Sequence, residues 1–166
     1  MIMKEVLFFD IADMGTVIYS NLENVYYIYR SREEKKLAAL KLVNAKYVVS
    51  FNGKHKSRFG RTNYDYKMLK AALDDEEPFF QGDHEDMMDS LCGNDKYSAF
   101  FSHSLDEVYQ KVFNISDGEM SKIHQRTDGV VNSVIFDAFQ TFRLWEALHS
   151  GLVDEIHPYW HSLISD

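Results

Sequence analysis

Three short runs rich in β-branched and aromatic residues follow one another at the start of the chain: EVLFFDI at 5–11, GTVIYS at 15–20 and VYYIYR at 25–30. The Met14-Gly15 break and the turn-forming NLEN at 21–24 separate them, so the chain is expected to open as a three-strand antiparallel meander. The first run is apolar almost throughout until Asp10, the pattern of a strand covered on both faces. Such a strand demands helices, and helices follow. Ser31 stands three residues before Glu34, a capping box opening a helix with Leu37, Leu40, Val43 and Ala38 at helical spacing that ends near Asn44. KYVVSF at 46–51 then reads as a fourth strand, stopped by FNGK, and a helical crossover before it makes it parallel to the first.

Further on, Tyr66, Leu69, Ala72 and Leu73 share one face of a helix over 64–73, with Asp65 near its start. The acidic stretch DDEEPFFQGDHEDMMDSL at 74–91 reads as a loop with a short strand or helix. Ser104 and Glu107 cap a helix in SLDEVYQKVF, which ends in the polar NISDG. From about Gly129 to His149, Val131, Val134, Ala138, Phe142 and Trp145 form one continuous helical stripe, with Gly151 as its stop. No repeat or linker divides the 166 residues, so a single domain over 1–166 is expected, an α/β fold with a mixed sheet flanked by helices.

Charge and cysteine usage narrow the chemistry. With 26 acidic against 18 basic groups the net charge is −8, which repels nucleic acid and anionic membranes, so phosphate binding needs a local basic patch or metal ions. Lys54, His55, Lys56, Arg58 and Arg61 form such a patch within a Gly- and Ser-containing loop. The lone Cys92 excludes an internal disulfide and a clustered-thiolate zinc site. No apolar run approaches the roughly 18 to 20 residues of a membrane span, and MIMKEVLFFD turns acidic before a signal-peptide core forms, so a cytoplasmic protein without membrane association is expected.

Three aspartates occupy unusual places: Asp10 at the end of the first buried strand, Asp65 at the entrance to a helix, and Asp137 within the apolar IFDAF. A carboxylate in such surroundings costs several kcal/mol unless a cation or hydrogen bonds compensate it, so each is either a cap or part of a metal site. The segments FFDIADMG, VVSFNGK with NYDYKML, SLDEVYQKVF, and VNSVIFDAFQTFRLWEAL resemble, in order and spacing, the motifs of the DEDD superfamily of 3′–5′ exonucleases. The likeness is nearest to the proofreading domains of family B DNA polymerases and spans residues 5 to about 148. It implies a ribonuclease-H-like fold. It also implies hydrolysis of single-stranded DNA or RNA 3′ ends by two ions, Mg²⁺ or Mn²⁺, on Asp10, Asp65 and Asp137, and a possible replication or repair protein as partner. Carboxylate oxygens suit these hard ions. With the resemblance, the basic loop becomes a backbone grip, and Asn52, Lys54, Lys56, Arg58, Arg61 and Tyr64 become candidate nucleic-acid contacts. Phe51, Tyr64 and Tyr66 are candidates for base stacking, although strand and helix positions of this kind are more often core.

The sequence departs from that family at two places. The family carries a Glu two residues after the first Asp, on the same strand face, where this chain has Ala12; Asp13 is an odd number of positions from Asp10 and is aimed oppositely by a regular strand. The family's Tyr or His before the last Asp is replaced by Ser133 and Asn132, neither a competent general base near neutral pH, which leaves His55 and His124 only if the fold carries them in. Ala12 is either a natural loss, leaving a module that binds nucleic acid or protein without cutting, or a deliberate replacement of glutamate. A different class is suggested by GLVDEIH at 151–157 and GRTNYDYKM at 60–68, which are similar to segments of dihydrofolate-reductase-like NADPH-dependent reductases; the glycine pair that lets a backbone approach the cofactor phosphates would fall at Ala138-Phe139. Two histidines in HPYWH at 157–161 lack a third ligand and read as a strand or packing segment.

Overall fold

The computed structural model describes residues 4–13, 15–51, 53, 63–96, 104–127 and 129–150. Strands β1 (Leu7–Ala12), β2 (Gly15–Ser20) and β3 (Val25–Tyr29) form the expected meander, β1 pairing antiparallel with β2 and β2 with β3. Helix α1 (Arg32–Asn44) starts on the expected capping box: Ser31 Oγ accepts from the Glu34 N–H at 3.1 Å while the Glu34 carboxylate accepts from the Ser31 N–H at 3.0 Å. It returns the chain to β4 (Tyr47–Ser50), parallel to β1. Helix α2 (Tyr64–Ala72) follows, then β5 (Asp83–Asp86), α3 (Met87–Cys92), α4 (Leu105–Val112), α5 (Asp117–Arg126) and α6 (Val130–Ser150). The sheet order is β3-β2-β1-β4-β5, an α/β architecture with antiparallel and parallel halves flanked by helices.

Alternation along β1 divides the interior. Leu7, Phe9 and Ile11 face one way and pack with Ile18, Val48, Leu69 and the α1 residues Ala38, Ala39 and Leu42. Phe8 faces the other way, edge-on to Phe142 at 5.1 Å and Trp145 at 5.4 Å, in a second core with Phe136, Phe139, Tyr109 and Ile123. Asp10 and Ala12 share Phe8's side by parity, which turns both toward α6.

One expectation needs correction. Leu37 and Leu40 were expected on the buried stripe of α1 but are exposed, at 61% and 39%; Ala38, Ala39, Leu42 and Val43 face the sheet. Alanines let the helix approach closely, and packing set the phase that periodicity left ambiguous. The acidic stretch at 74–91 holds a short strand, as expected: β5 pairs in register with β4 from Tyr47↔Asp83 to Ser50↔Asp86, although DHED has no apolar residue. Helix α5 begins within the polar NISDG that ends its predecessor and covers a stretch where no element is expected from the sequence. Asn114, with φ at 53°, closes α4, and Ser116 then caps α5 by accepting from the Glu119 N–H at 3.1 Å.

The long helix is tied across the sheet by Glu85. It accepts from Tyr47, from Ser90 Oγ at 2.8 Å and from His149 Nε2 at 3.0 Å. Burial pushes this carboxyl up, but those hydrogen bonds outweigh it and hold Glu85 below the usual range. Among the described residues no helix is long and apolar enough to cross a membrane.

Candidate active site

Asp10 stands two residues beyond the last parallel pair of β1 with β4, Phe8↔Val49, on the face that looks at α6. Asp137 meets it from the other side: the two side chains hydrogen-bond to each other, which requires a proton between them. Burial first, then the charge of Asp65, pushes Asp10 up to about 7, against lowering hydrogen bonds from Asp137 and the Ile11 N–H. Burial and the neighbouring Asp10 push Asp137 up to about 9, so the pair as a unit holds a proton that ordinary carboxyls would have lost. Asp65 approaches from the opposite layer, in the first turn of α2. It is 6% exposed and lies well above the ordinary carboxyl range, by burial and by the charges of Asp86 and Asp137. The three aspartates singled out in the sequence, separated by as much as most of the chain, thus lie within one another's electrostatic reach.

A fourth carboxylate joins them that sequence reasoning missed. Asp86 ends β5 at the same edge of the sheet, is 3% exposed, and caps α3 by accepting from the Met88 N–H at 3.0 Å. An Asp directly before MMDSL, with Asp89 three residues on, was its helix-start signal. None of the effects that shift Asp10 or Asp65 comes from a described lysine or arginine. The cluster therefore carries stored repulsion, held in check by protons. Among the described residues, no group of three or more His, Cys, Asp or Glu side chains is placed to hold a metal ion as it stands. The donor chemistry fits a divalent ion nevertheless: buried oxygen ligands, no described lysine or arginine among the groups that shift them, and a proton-sharing pair that an ion would separate.

The remaining candidates separate clearly. Ala12 lies on Asp10's side of the strand and packs against Val17, Val134 and Ala138. Asp13 sits in the turn after β1, exposed, accepting from Tyr64, while its carbonyl accepts from Lys35 Nζ at 2.7 Å. Tyr64 is 47% exposed at the rim, and that bond to Asp13, with burial and nearby carboxylates, pushes its hydroxyl up to about 12. Phe51 packs against the α6-side core and Tyr66 is buried with its hydroxyl donating to Glu77, so both are core residues; only Tyr64 has a free face for stacking. Ser133 and Asn132 are exposed on α6 about one turn before Asp137. Asn52, Lys54, His55, Lys56, Arg58 and Arg61 lie outside the described residues, as do Gly151, GLVDEIH and HPYWH. Ala138 and Phe139, the positions required to be glycines for NADPH phosphates, are fully buried inside α6 and form no turn.

No protein-family model, no curated protein and no solved structure matches the chain.

Proposed function

We propose that this chain is a ribonuclease-H-like nuclease domain that removes nucleotides from single-stranded 3′ ends, with Mg²⁺ or Mn²⁺ ions held by Asp10, Asp65 and Asp137. The observation that carries this reading is the convergence of those three buried aspartates, from β1, α2 and α6, without a described lysine or arginine to neutralise them. Buried carboxylates are costly unless a cation or a proton compensates them, and here protons do so only by raising the groups far from their ordinary range. The meander, the crossover helix and the parallel strand agree with the ribonuclease-H-like order. When bound, the ion pair activates water and stabilises the attacking and leaving oxygens of the phosphodiester.

The chain's own groups divide the remaining work. The Asp10–Asp137 pair gives up its shared proton on loading, Asp65 supplies acceptors from the other layer, and the basic residues of the 54–61 segment offer the positive charge needed to hold a phosphate backbone against a net charge of −8. Ala12 leaves the ion set one carboxylate short, so the chain should hold ions weakly, in roughly the millimolar range. Ala12→Glu is expected to tighten Mn²⁺ binding and to raise shortening of 3′-labelled single strands by about 100-fold, assayed on DNA and RNA in either metal. Absence of shortening in both metals would remove the exonuclease reading.

Ala12 also favours a second reading, since its methyl is packed against Val134 and Ala138. A nuclease fold that has closed over its missing ligand is a strand-binding module that does not cut. In either case, changing Lys54, Lys56, Arg58 and Arg61 together to Ala should weaken single-strand binding at least tenfold at low salt and flatten the slope of log affinity against log salt by up to about 3. Unchanged affinity assigns those basic residues no part in strand binding.

A further inference from the structure

We propose that two copies of this chain pair through the outer edge of β3, antiparallel and two-fold about Tyr27, so that their two five-strand sheets continue as one. The inference is independent of any chemistry at the aspartates, since β2 stands between this edge and Asp10.

Strand β3 ends the sheet, and among the described residues no strand lies on its outer side. An edge strand turns alternate N–H and C=O groups outward, a template for another strand unless lysine, proline or a bulge spoils it. Residues 25–29 contain none of these: the run is VYYIY, and its register with β2 is unbroken from Thr16↔Tyr29 to Ser20↔Val25. Two of its apolar side chains are left uncovered, Val25 at 42% and Ile28 at 36% exposure.

A second copy is singled out as the occupant because the strand matches itself. Antiparallel pairing about a two-fold perpendicular to the sheet keeps side chains on matching faces when the axis passes through a residue. With Tyr27 on that axis, Val25 stands opposite Tyr29 of the other copy, and Tyr26 opposite Ile28. Four of the five pairs then set a β-branched residue against a tyrosine, a favoured cross-strand combination.

The charges match in the same way. Tyr27 carries both signs: its hydroxyl donates to the Glu23 carboxylate, and Lys41 Nζ, from α1, lies 4.1 Å from its ring centroid. Lys41 is thereby folded over the ring instead of guarding the edge. Rotation about Tyr27 brings this acid and base against the inverted couple of the other copy, Glu23 toward Lys41 and Lys41 toward Glu23. A different protein would have to supply the same strand and the same inverted charges; a second copy supplies both by symmetry.

The test is sedimentation equilibrium of the full chain over a concentration series. A closed dimer of twice the 19.4 kDa chain mass is expected at about 50 µM, dissociating on dilution. Ile28→Lys, at a position already exposed, should leave the circular dichroism unchanged and weaken the dimer about 100-fold. Glu23→Lys and Lys41→Glu should each weaken it about tenfold at low salt, and an equimolar mixture of those two chains should regain the parent's affinity, because each mismatch complements the other. After Tyr27→Cys, oxidation should give a disulfide joining position 27 to position 27, identified by peptide mass spectrometry, since residues opposed across antiparallel strands lie within disulfide reach. A single-chain mass at every concentration up to about 500 µM overturns the proposal and leaves the edge to the chain's own residues or to a different protein. Growth beyond two chains, a dimer that withstands Ile28→Lys and both charge reversals, a mixture that regains nothing, or no disulfide at position 27 overturns it as well. Should Ile28→Lys fail to fold, the mixing experiment decides.

Discussion

Metal-free Asp137→Asn protein at pH 8 is expected to unfold about 6 to 12 °C above the parent chain. The carboxyl it removes is raised to about 9 by burial and by Asp10, and an unfolded aspartate titrates near 3.9. The folded state therefore binds the extra proton between those values, and stability falls as pH rises across that window. Holding the proton at pH 8 costs about 1.4 kcal/mol for every pH unit above the unfolded value, so even half of that cost is roughly 3 kcal/mol. An amide keeps a hydrogen bond to Asp10 without the titration, and a gain of about 3 kcal/mol corresponds to that shift in a domain of this size. The difference should shrink as pH falls toward 4 and close below about pH 3, where both folded and unfolded carboxyls are protonated. Mn²⁺ should raise the midpoint of the parent more at pH 8 than at pH 5.5, and should barely move that of Asp137→Asn. Thermal melts at the two pH values check this; an Asp137→Asn midpoint at or below that of the parent at pH 8 contradicts the stored repulsion on which the site assignment depends.

Gly82→Ala should cost roughly 3 kcal/mol or more and disturb the same site from a distance. A Cβ at position 82 would lie 2.2 Å from the Lys46 carbonyl oxygen and 2.5 Å from that of Ala45, both backbone atoms that no side-chain rotation can clear. Immediately beside it the Asp83 N–H donates to the Lys46 carbonyl at 2.9 Å, the bond that starts β5 against β4. Pushing the strands apart lengthens that ladder and moves Asp86, three residues on, away from Asp65. The expected signature is a lower urea midpoint at unchanged slope, together with a Mn²⁺ affinity altered by the displaced carboxylate. A Gly82→Ala chain as stable as the parent would mean that β5 is held otherwise than by this close approach.

Much of the site was legible before any coordinates. Asp10, Asp65 and Asp137 stood out because ionised groups in apolar runs require compensation, and burial is written into the residues around them. Asp86 did not stand out because its strand has no apolar pattern. DHED pairs only because β4 presents an edge and Gly82 admits the approach, and neither fact is local. Helix α5 went unread for a different reason: Ser116-x-x-Glu119 carries the same start signal as Ser31-x-x-Glu34 and Ser104-x-x-Glu107, but it lies inside the polar NISDG that closes the preceding helix. His124 accordingly had no address until that helix was placed, where it meets Asp106 at 2.9 Å.

By itself the sequence determined the meander, the crossover to a fourth strand, the long final helix and the identity of three acidic groups, because hydrophobic period, capping and turn chemistry act over a few residues. Tertiary structure alone decided which face of α1 is buried, that an acidic tetrapeptide joins the sheet, and that Asp106, His124 and Gln140 meet from three helices. Those outcomes are set by packing and by electrostatic contact between segments far apart along the chain, where no local pattern carries the information.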